Sequence, residues 1–189
     1  MTLKSLYTPE SAAEGDVLTR EAAKALTDRV LSFAKADETR VNVVSGWSGN
    51  TRFAGNEITT SGGTTNTIIN VTSTIGKRRA SASTNVLDTE SIKRTVELAE
   101  RLAKLSPEDP EAMPELGPQT YTPVNSWFDK TADLTPETRA TAAQRVISVA
   151  EQEGKAVGNL FVAGFLRANV SANIVANSKG LFSYHRTTD

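Results

Sequence analysis

The stretch Thr51-Arg52-Phe53-Ala54-Gly55-Asn56-Glu57-Ile58-Thr59-Thr60-Ser61-Gly62-Gly63 decides the reading of the fold, together with Ile75-Gly76-Lys77-Arg78-Arg79-Ala80-Ser81-Ala82-Ser83-Thr84-Asn85-Val86-Leu87-Asp88 after it. It lays out successive strands that feed a helix. Residues 51–54 and 57–60 are short extended pieces joined by Gly55-Asn56, a pair able to take positive φ. Ser61-Gly62-Gly63 reads as a further turn. Residues 64–75 form a long strand rich in β-branched side chains. Ile69, Val71 and Ile75 share one face; Asn66, Ile68, Asn70, Thr72 and Thr74 share the other. Gly76-Lys77 suits a tight hairpin, and residues 78–83 alternate as the return strand. Asp88 is a good N-cap for a helix over 89–104, with Ile92, Val96, Ala99 and Ala103 as its apolar stripe.

Working outward, residues 1–18 read as a lead-in, and Thr19 caps a helix reaching about residue 36. Ala22, Leu26, Val30 and Phe33 fall near one face of it. Over 40–48 the period changes: Val41, Val43 and Trp47 alternate with Asn42, Gly46 and Ser48, as in a strand with one buried face. On the other side, Ser106-Pro107 ends the helix and opens a proline-rich acidic connector, 106–123. Thr135-Pro136 starts another helix, with a capping hydroxyl and then proline at the first helical position. Ala143, Val146, Ile147 and Ala150 line it, and Gly154 is its expected stop. Residues 160–172 alternate as a long strand, and Asn177-Ser178-Lys179-Gly180 turns it into 181–187. The expected fold is α+β: a mainly antiparallel sheet with about three helices packed on one side. Two loosely similar halves, 19–105 and 124–189, are joined by the connector and share a core.

Composition narrows the function. The 189 residues carry 21 basic and 22 acidic side chains, a net charge of -1, with 38% hydrophobic and 23% charged residues. That balance leaves no electrostatic footprint for nucleic acid and no polybasic membrane anchor. The one basic run, Lys77-Arg78-Arg79, reads as a solvated hairpin tip. No cysteine is present, which removes disulfides and thiol catalysis. Neither an apolar core of signal-peptide length near Met1 nor a run of roughly 20 apolar residues appears. The cytoplasm is the expected compartment. The triplets Asn70-Val71-Thr72 and Asn169-Val170-Ser171 are read as strand residues rather than sugar sites.

Catalytic constellations are sparse. His185 is the one histidine, so neither a hydrolytic zinc site nor a serine triad can be assembled in the ordinary way. Gly46-Trp47-Ser48-Gly49 has the wrong spacing for a nucleophile elbow, and no glycine-rich phosphate loop is present. Glu97, Glu100, Glu108, Asp109 and Glu111 read as solvated charge. Glu57 stands out because it follows a turn within the decisive stretch. The polar strand 64–74 also offers an edge to which an extended peptide can add through main-chain hydrogen bonds.

These residues resemble the TldD/PmbA family, whose members carry the label of modulators of DNA gyrase. The likeness runs through Arg52-Phe53-Ala54-Gly55-Asn56-Glu57-Ile58, Ser61-Gly62, and Ile75 through Asn85 into the helix that follows. It resumes at Thr135-Pro136-Glu137-Thr138-Arg139-Ala140 and at Val175-Ala176-Asn177-Ser178-Lys179-Gly180. The resemblance implies a cytoplasmic zinc metallopeptidase that processes or degrades small unfolded peptides, as a homodimer or as a heterodimer with a family paralogue. The family's metal is held by a His-Glu-x-x-x-His helix and a later cysteine, which have no counterpart here. The chain is therefore expected to be the single amino-terminal domain, 1–189, with no metal ligand or catalytic residue of its own. No cofactor is expected in it, and zinc belongs to a carboxy-terminal domain outside it. Dimerisation and enclosure of an extended peptide are its expected work, with Arg52, Asn56, Glu57, Ser61 and Arg79 as contacts. Nucleic acid and membrane are not expected partners. The alternatives are a stand-alone peptide- or protein-binding module, and a small enzyme using an acid pair at Glu57 or a bound cofactor.

Overall fold

A computed structural model describes residues 17–189. Of the lead-in expected over 1–18, residues 1–16 lie outside the described residues. Nine elements follow in order: α1 (Arg20–Ser32), β1 (Glu38–Ala54), β2 (Glu57–Ile75), β3 (Arg78–Thr84), α2 (Thr89–Leu105), α3 (Asp129–Ala132), α4 (Pro136–Val157), β4 (Ala163–Asn177) and β5 (Phe182–Thr188). The strands form one antiparallel sheet in the order β3-β2-β1-β4-β5. β4, from the second half of the chain, thus pairs along nearly all of β1 from the first, and the halves share one sheet.

Local chemistry explains most boundaries. Thr19, Asp88 and Thr135 each accept a first-turn backbone N–H through the side chain, from Ala22, Ser91 and Thr138. α1 ends earlier than expected, at Ser32. α4 runs past Gly154, which is buried against Leu160, and stops at Gly158 with φ 102°. The short α3 is a fourth helix that the sequence pattern did not announce. Gly55 and Asn56, at φ 61° and 67°, make the two-residue turn between β1 and β2.

The helices lie on one side of the sheet. β1 alternates strictly from Thr39 to Phe53, every odd residue, Gly49 included, lying in the buried layer. The main core packs Ala23, Leu26 and Val30 of α1 and Ile92, Val96 and Ala99 of α2 onto Val41, Val43, Ile69, Val71, Ala172 and Ile174. Farther along the sheet, Trp47 packs with Ala132, Ala168 and Val170, and Phe53 with Ala143 and Ile147 of α4. The expected breaks near 49–50 and 61–63 do not occur. β1 and β2 are continuous strands of 17 and 19 residues.

Among the described residues, the connector crosses the opposite face at its Glu38 end. Glu38, Arg40 and Arg79 point away from the helices, because their neighbours Thr39 and Val41 point toward them. The Glu115 carboxylate lies 3.6 Å from Arg40 and 3.8 Å from Arg79, and the Glu115 N–H donates to Glu38 at 2.9 Å. Lys179 pairs with Glu38 at 3.3 Å, and Asn177 donates to the Leu116 carbonyl. The basic hairpin is therefore more than a solvated tip: Arg78 meets Glu108 at 3.6 Å, and Arg79 donates to the Met113 carbonyl.

That Glu115 N–H, aided by Lys179, outweighs burial and holds the Glu38 carboxyl below its ordinary value of 4.5. A carboxylate with a depressed folded pKa contributes stability above its unfolded value and loses it as pH falls through the folded one. Glu38→Gln is accordingly expected to raise hydrogen exchange at the Glu115 amide near neutral pH. In the parent chain the same rise appears only below pH 4.5. Amide exchange followed by NMR across that range measures it.

Candidate functional site

The sheet has one long uncovered edge. β3 reaches only as far as Thr84, opposite Ile69, so among the described residues no strand lies on the outer side of β2 from Glu57 to Ile68. Every residue of β2 from Glu57 to Asn66 is exposed. Hairpin geometry fixes which backbone groups face outward. The two-residue turn Gly76-Lys77 closes on the hydrogen-bonded pair Ile75–Arg78, so odd-numbered β2 residues bond toward β3. Even-numbered ones bond toward β1. The bulge at Arg52/Phe53, opposite Thr59, keeps this phase compatible with the Gly55-Asn56 turn, where Glu57 pairs with Ala54. Ser61, Gly63, Thr65 and Thr67 therefore carry N–H and C=O groups that point out from an unpaired edge. Beyond Glu57 this edge has no charge and no proline, the usual devices that prevent strand addition.

Four of the five expected contact residues gather at this end. Arg52 and Glu57 are exposed, one on each side of the turn. Asn56 acts as a bracket: its Nδ2 donates to the Leu160 carbonyl at 2.9 Å and its Oδ1 accepts from the Val162 N–H at 2.8 Å. It ties the hairpin tip to the chain entering β4. Ser61 Oγ donates to the Asn50 carbonyl at 3.2 Å and lies 3.2 Å from Thr51 Oγ1. Arg79 is elsewhere, opposite Thr74 and engaged with the connector. Thr74 and Thr60 are 14 positions apart on β2, on the order of 45 Å of strand. Thr65 and Thr67 went unnamed as site residues because nothing in a threonine-rich strand reveals where its neighbour stops.

The structure also brings Ser126 Oγ to 3.0 Å from His185 Nε2. Ser126 Oγ donates to the Arg186 carbonyl, also at 3.0 Å. With its proton there, the hydroxyl accepts from the ring Nε2–H, the reverse of the polarity a serine nucleophile needs. Among the described residues no group of three or more His, Cys, Asp or Glu is placed to hold a metal ion. The described residues do not supply the donor set that the zinc implied by the resemblance needs. No helix among the described residues is long and apolar enough to cross a membrane.

These features define an α+β domain with an antiparallel sheet, helices on one face and a free strand edge. Solved structures share that fold. TldE from Thermococcus kodakarensis superposes with a TM-score of 0.79 at 19% identity, over 86% of this chain and 37% of that one. A protein described as a proposed modulator of a DNA gyrase, from Thermotoga maritima MSB8, gives 0.73 at 14% identity, over 87% of this chain and 37% of that one. Another so described, from Bacteroides thetaiotaomicron VPI-5482, gives 0.66 at 17% identity, over 90% and 39%. The chain spans under two fifths of the length of each. No family model matches the sequence, and no curated protein matches it. The shared fold agrees with the TldD/PmbA resemblance carried by the two hairpins and by Thr135-Pro136.

Proposed function

We propose that this chain is the amino-terminal, non-catalytic domain of a TldD/PmbA-type zinc metallopeptidase of the cytoplasm. In this reading it helps form a dimer and encloses a small unfolded peptide beside a zinc centre supplied by sequence outside the chain. The observation that carries the reading is the open β2 edge from Ser61 to Thr67, flanked by Arg52 and Glu57. Backbone pairing along such an edge takes any extended sequence and rejects folded proteins, whose strands are already paired. The fold likeness and the partial coverage of the solved structures support the domain assignment.

A proline substitution tests the edge. Thr65→Pro removes an outward N–H and leaves the ladder to β1 intact, a position where proline is tolerated. Binding of a fluorescein-labelled unstructured dodecapeptide, read by anisotropy, is expected to fall at least about tenfold with the far-UV spectrum unchanged. Thr64→Pro instead breaks a β1 bond and is expected to destabilise the fold. Undiminished binding by a folded Thr65→Pro would remove the edge from the proposal. The reading frame tests the rest. Continuation into a His-Glu-x-x-x-His helix and a later cysteine supports the peptidase domain, whereas a stop codon directly after Asp189 leaves the stand-alone binding module.

A further inference from the structure

The opposite edge of the sheet carries a different feature. β5 is paired on one side with β4, and its outer side faces residues 119–127, the end of the connector and the segment after it. The two meet at one end only: Thr188 N–H donates to the Ser126 carbonyl, and Ser126 Oγ donates to that of Arg186. Before that point they stand apart, leaving a cleft of about 830 Å³, within the usual size range of ligand sites.

The reciprocal bonds between Asn169 and Asp189 set the hydrogen-bonding phase of β5. Its odd residues bond toward β4, so Phe182, Tyr184 and Arg186 turn their backbone groups to the cleft. Ser126 occupies the Arg186 carbonyl, and among the described residues no bond reaches the N–H of Arg186 or either backbone group of Tyr184 from that side. The cleft therefore presents a short unpaired strand edge inside a walled slot.

Among the described residues Arg20 and Arg186 line the cleft and no Asp or Glu does, although the Glu21 charge on α1 reaches Tyr184. Both guanidinium groups are held over rings: Arg20 sits 5.4 Å from the Phe182 centroid and Arg186 sits 4.3 Å from that of Trp127. Among the described residues neither arginine has a carboxylate partner, unlike Arg40, Arg78 and Arg79. Stacking positions the two cations and leaves their N–H forks free for oxygen acceptors.

We propose that this cleft binds an extended acidic peptide segment, which adds a strand to β5 and places carboxylates on Arg20 and Arg186. Backbone pairing to Tyr184 and Arg186 supplies the register. The two arginines supply the preference for acidic over neutral or basic sequence. The site is separate from the β2 edge and does not depend on the peptidase reading.

The test uses the full chain and three labelled decapeptides with alternating valine: (Glu-Val)₅, (Thr-Val)₅ and (Lys-Val)₅. The acidic peptide is expected to bind most tightly, and less so as salt rises. Measured in a Thr65→Pro background, which removes pairing at the β2 edge, Arg20→Gln and Arg186→Gln are each expected to weaken it about tenfold. Hydrogen exchange is expected to show new protection at the Tyr184 and Arg186 amides. Equal binding of the acidic and basic peptides would overturn the proposal. So would full affinity in the double arginine variant, or protection confined to residues 61–67.

Discussion

Replacing Trp47 by alanine is expected to lower the free energy of unfolding by about 4 kcal/mol, read as a lower midpoint in urea. Trp47 is 3% exposed and is the central side chain of its cluster, against Ala132, Ala168 and Val170. The buried side chains of its cluster are small, with Val17, Trp127 and Leu134 packed only at its margin, so much of the cavity should persist. The indole also carries a second burden. The Arg139 guanidinium stacks on it at 5.2 Å and is itself 3% exposed. Its Nη1 donates to the Leu134 carbonyl, while Nε and Nη2 have no partner among the described residues. Without the ring the guanidinium loses its π contact, and a buried cation is left with a single hydrogen bond. Trp47→Phe keeps a ring over the same place and is expected to recover about half of the loss. A loss below about 1 kcal/mol for the alanine variant would show that the site collapses or fills with water.

The second large effect belongs to glycines lying beneath aromatic rings. Gly49 and Gly63 face each other across β1 and β2, and the Trp47 ring lies over both. A Cβ on Gly63 would sit 2.8 Å from Trp47 Nε1. One on Gly49 would press into the indole and come within 2.8 Å of Arg139 Nη1. Gly164, opposite Phe53 on β4, would bring a Cβ to 2.7 Å from the Phe53 Cε1. Gly49→Ala and Gly164→Ala are each expected to cost about 2 kcal/mol, as overpacking of a filled core. Gly62 is the internal control: it adjoins Gly63 and meets nothing within 4 Å of an added Cβ. Gly62→Ala is expected to be neutral or slightly stabilising, because it removes backbone freedom from the unfolded chain. Equal losses at Gly62 and Gly49 would mean that strand flexibility, not ring contact, sets the cost.

These rings also bear on the candidate site. Past the end of β3 the sheet continues as β2-β1-β4, with α4 on its inner side. Trp47 and Phe53 lie across the glycines, and Asn56 clamps the tip to the approach to β4. Together they pack the far part of the sheet and tie its hairpin tip to the start of β4. Asn56 therefore serves the edge by holding the tip, while Arg52 and Glu57 remain exposed beside it.

Local chemistry was readable in the sequence alone. Thr19, Asp88 and Thr135 mark helix starts because a side-chain oxygen caps whatever helix follows. Gly55-Asn56 and Gly76-Lys77 mark hairpins because few other pairs take those dihedrals. The alternation from Val41, and the Ile92-Val96-Ala99-Ala103 stripe, identify buried faces because each period belongs to one kind of element. Long-range packing was not readable. Gly49 and the Ser61-Gly62-Gly63 run look like breaks in isolation. They lie within continuous strands because rings from Trp47 and neighbouring strands supply what glycine lacks. The pairing of β4 with β1, the connector salt-bridged across the far face, and the halting of β3 at Thr84 are decided between segments distant in the chain. For that reason the sequence placed Arg52, Asn56, Glu57 and Ser61 near one turn, whereas only the tertiary structure separated Arg79 from them and left one strand edge without a neighbour.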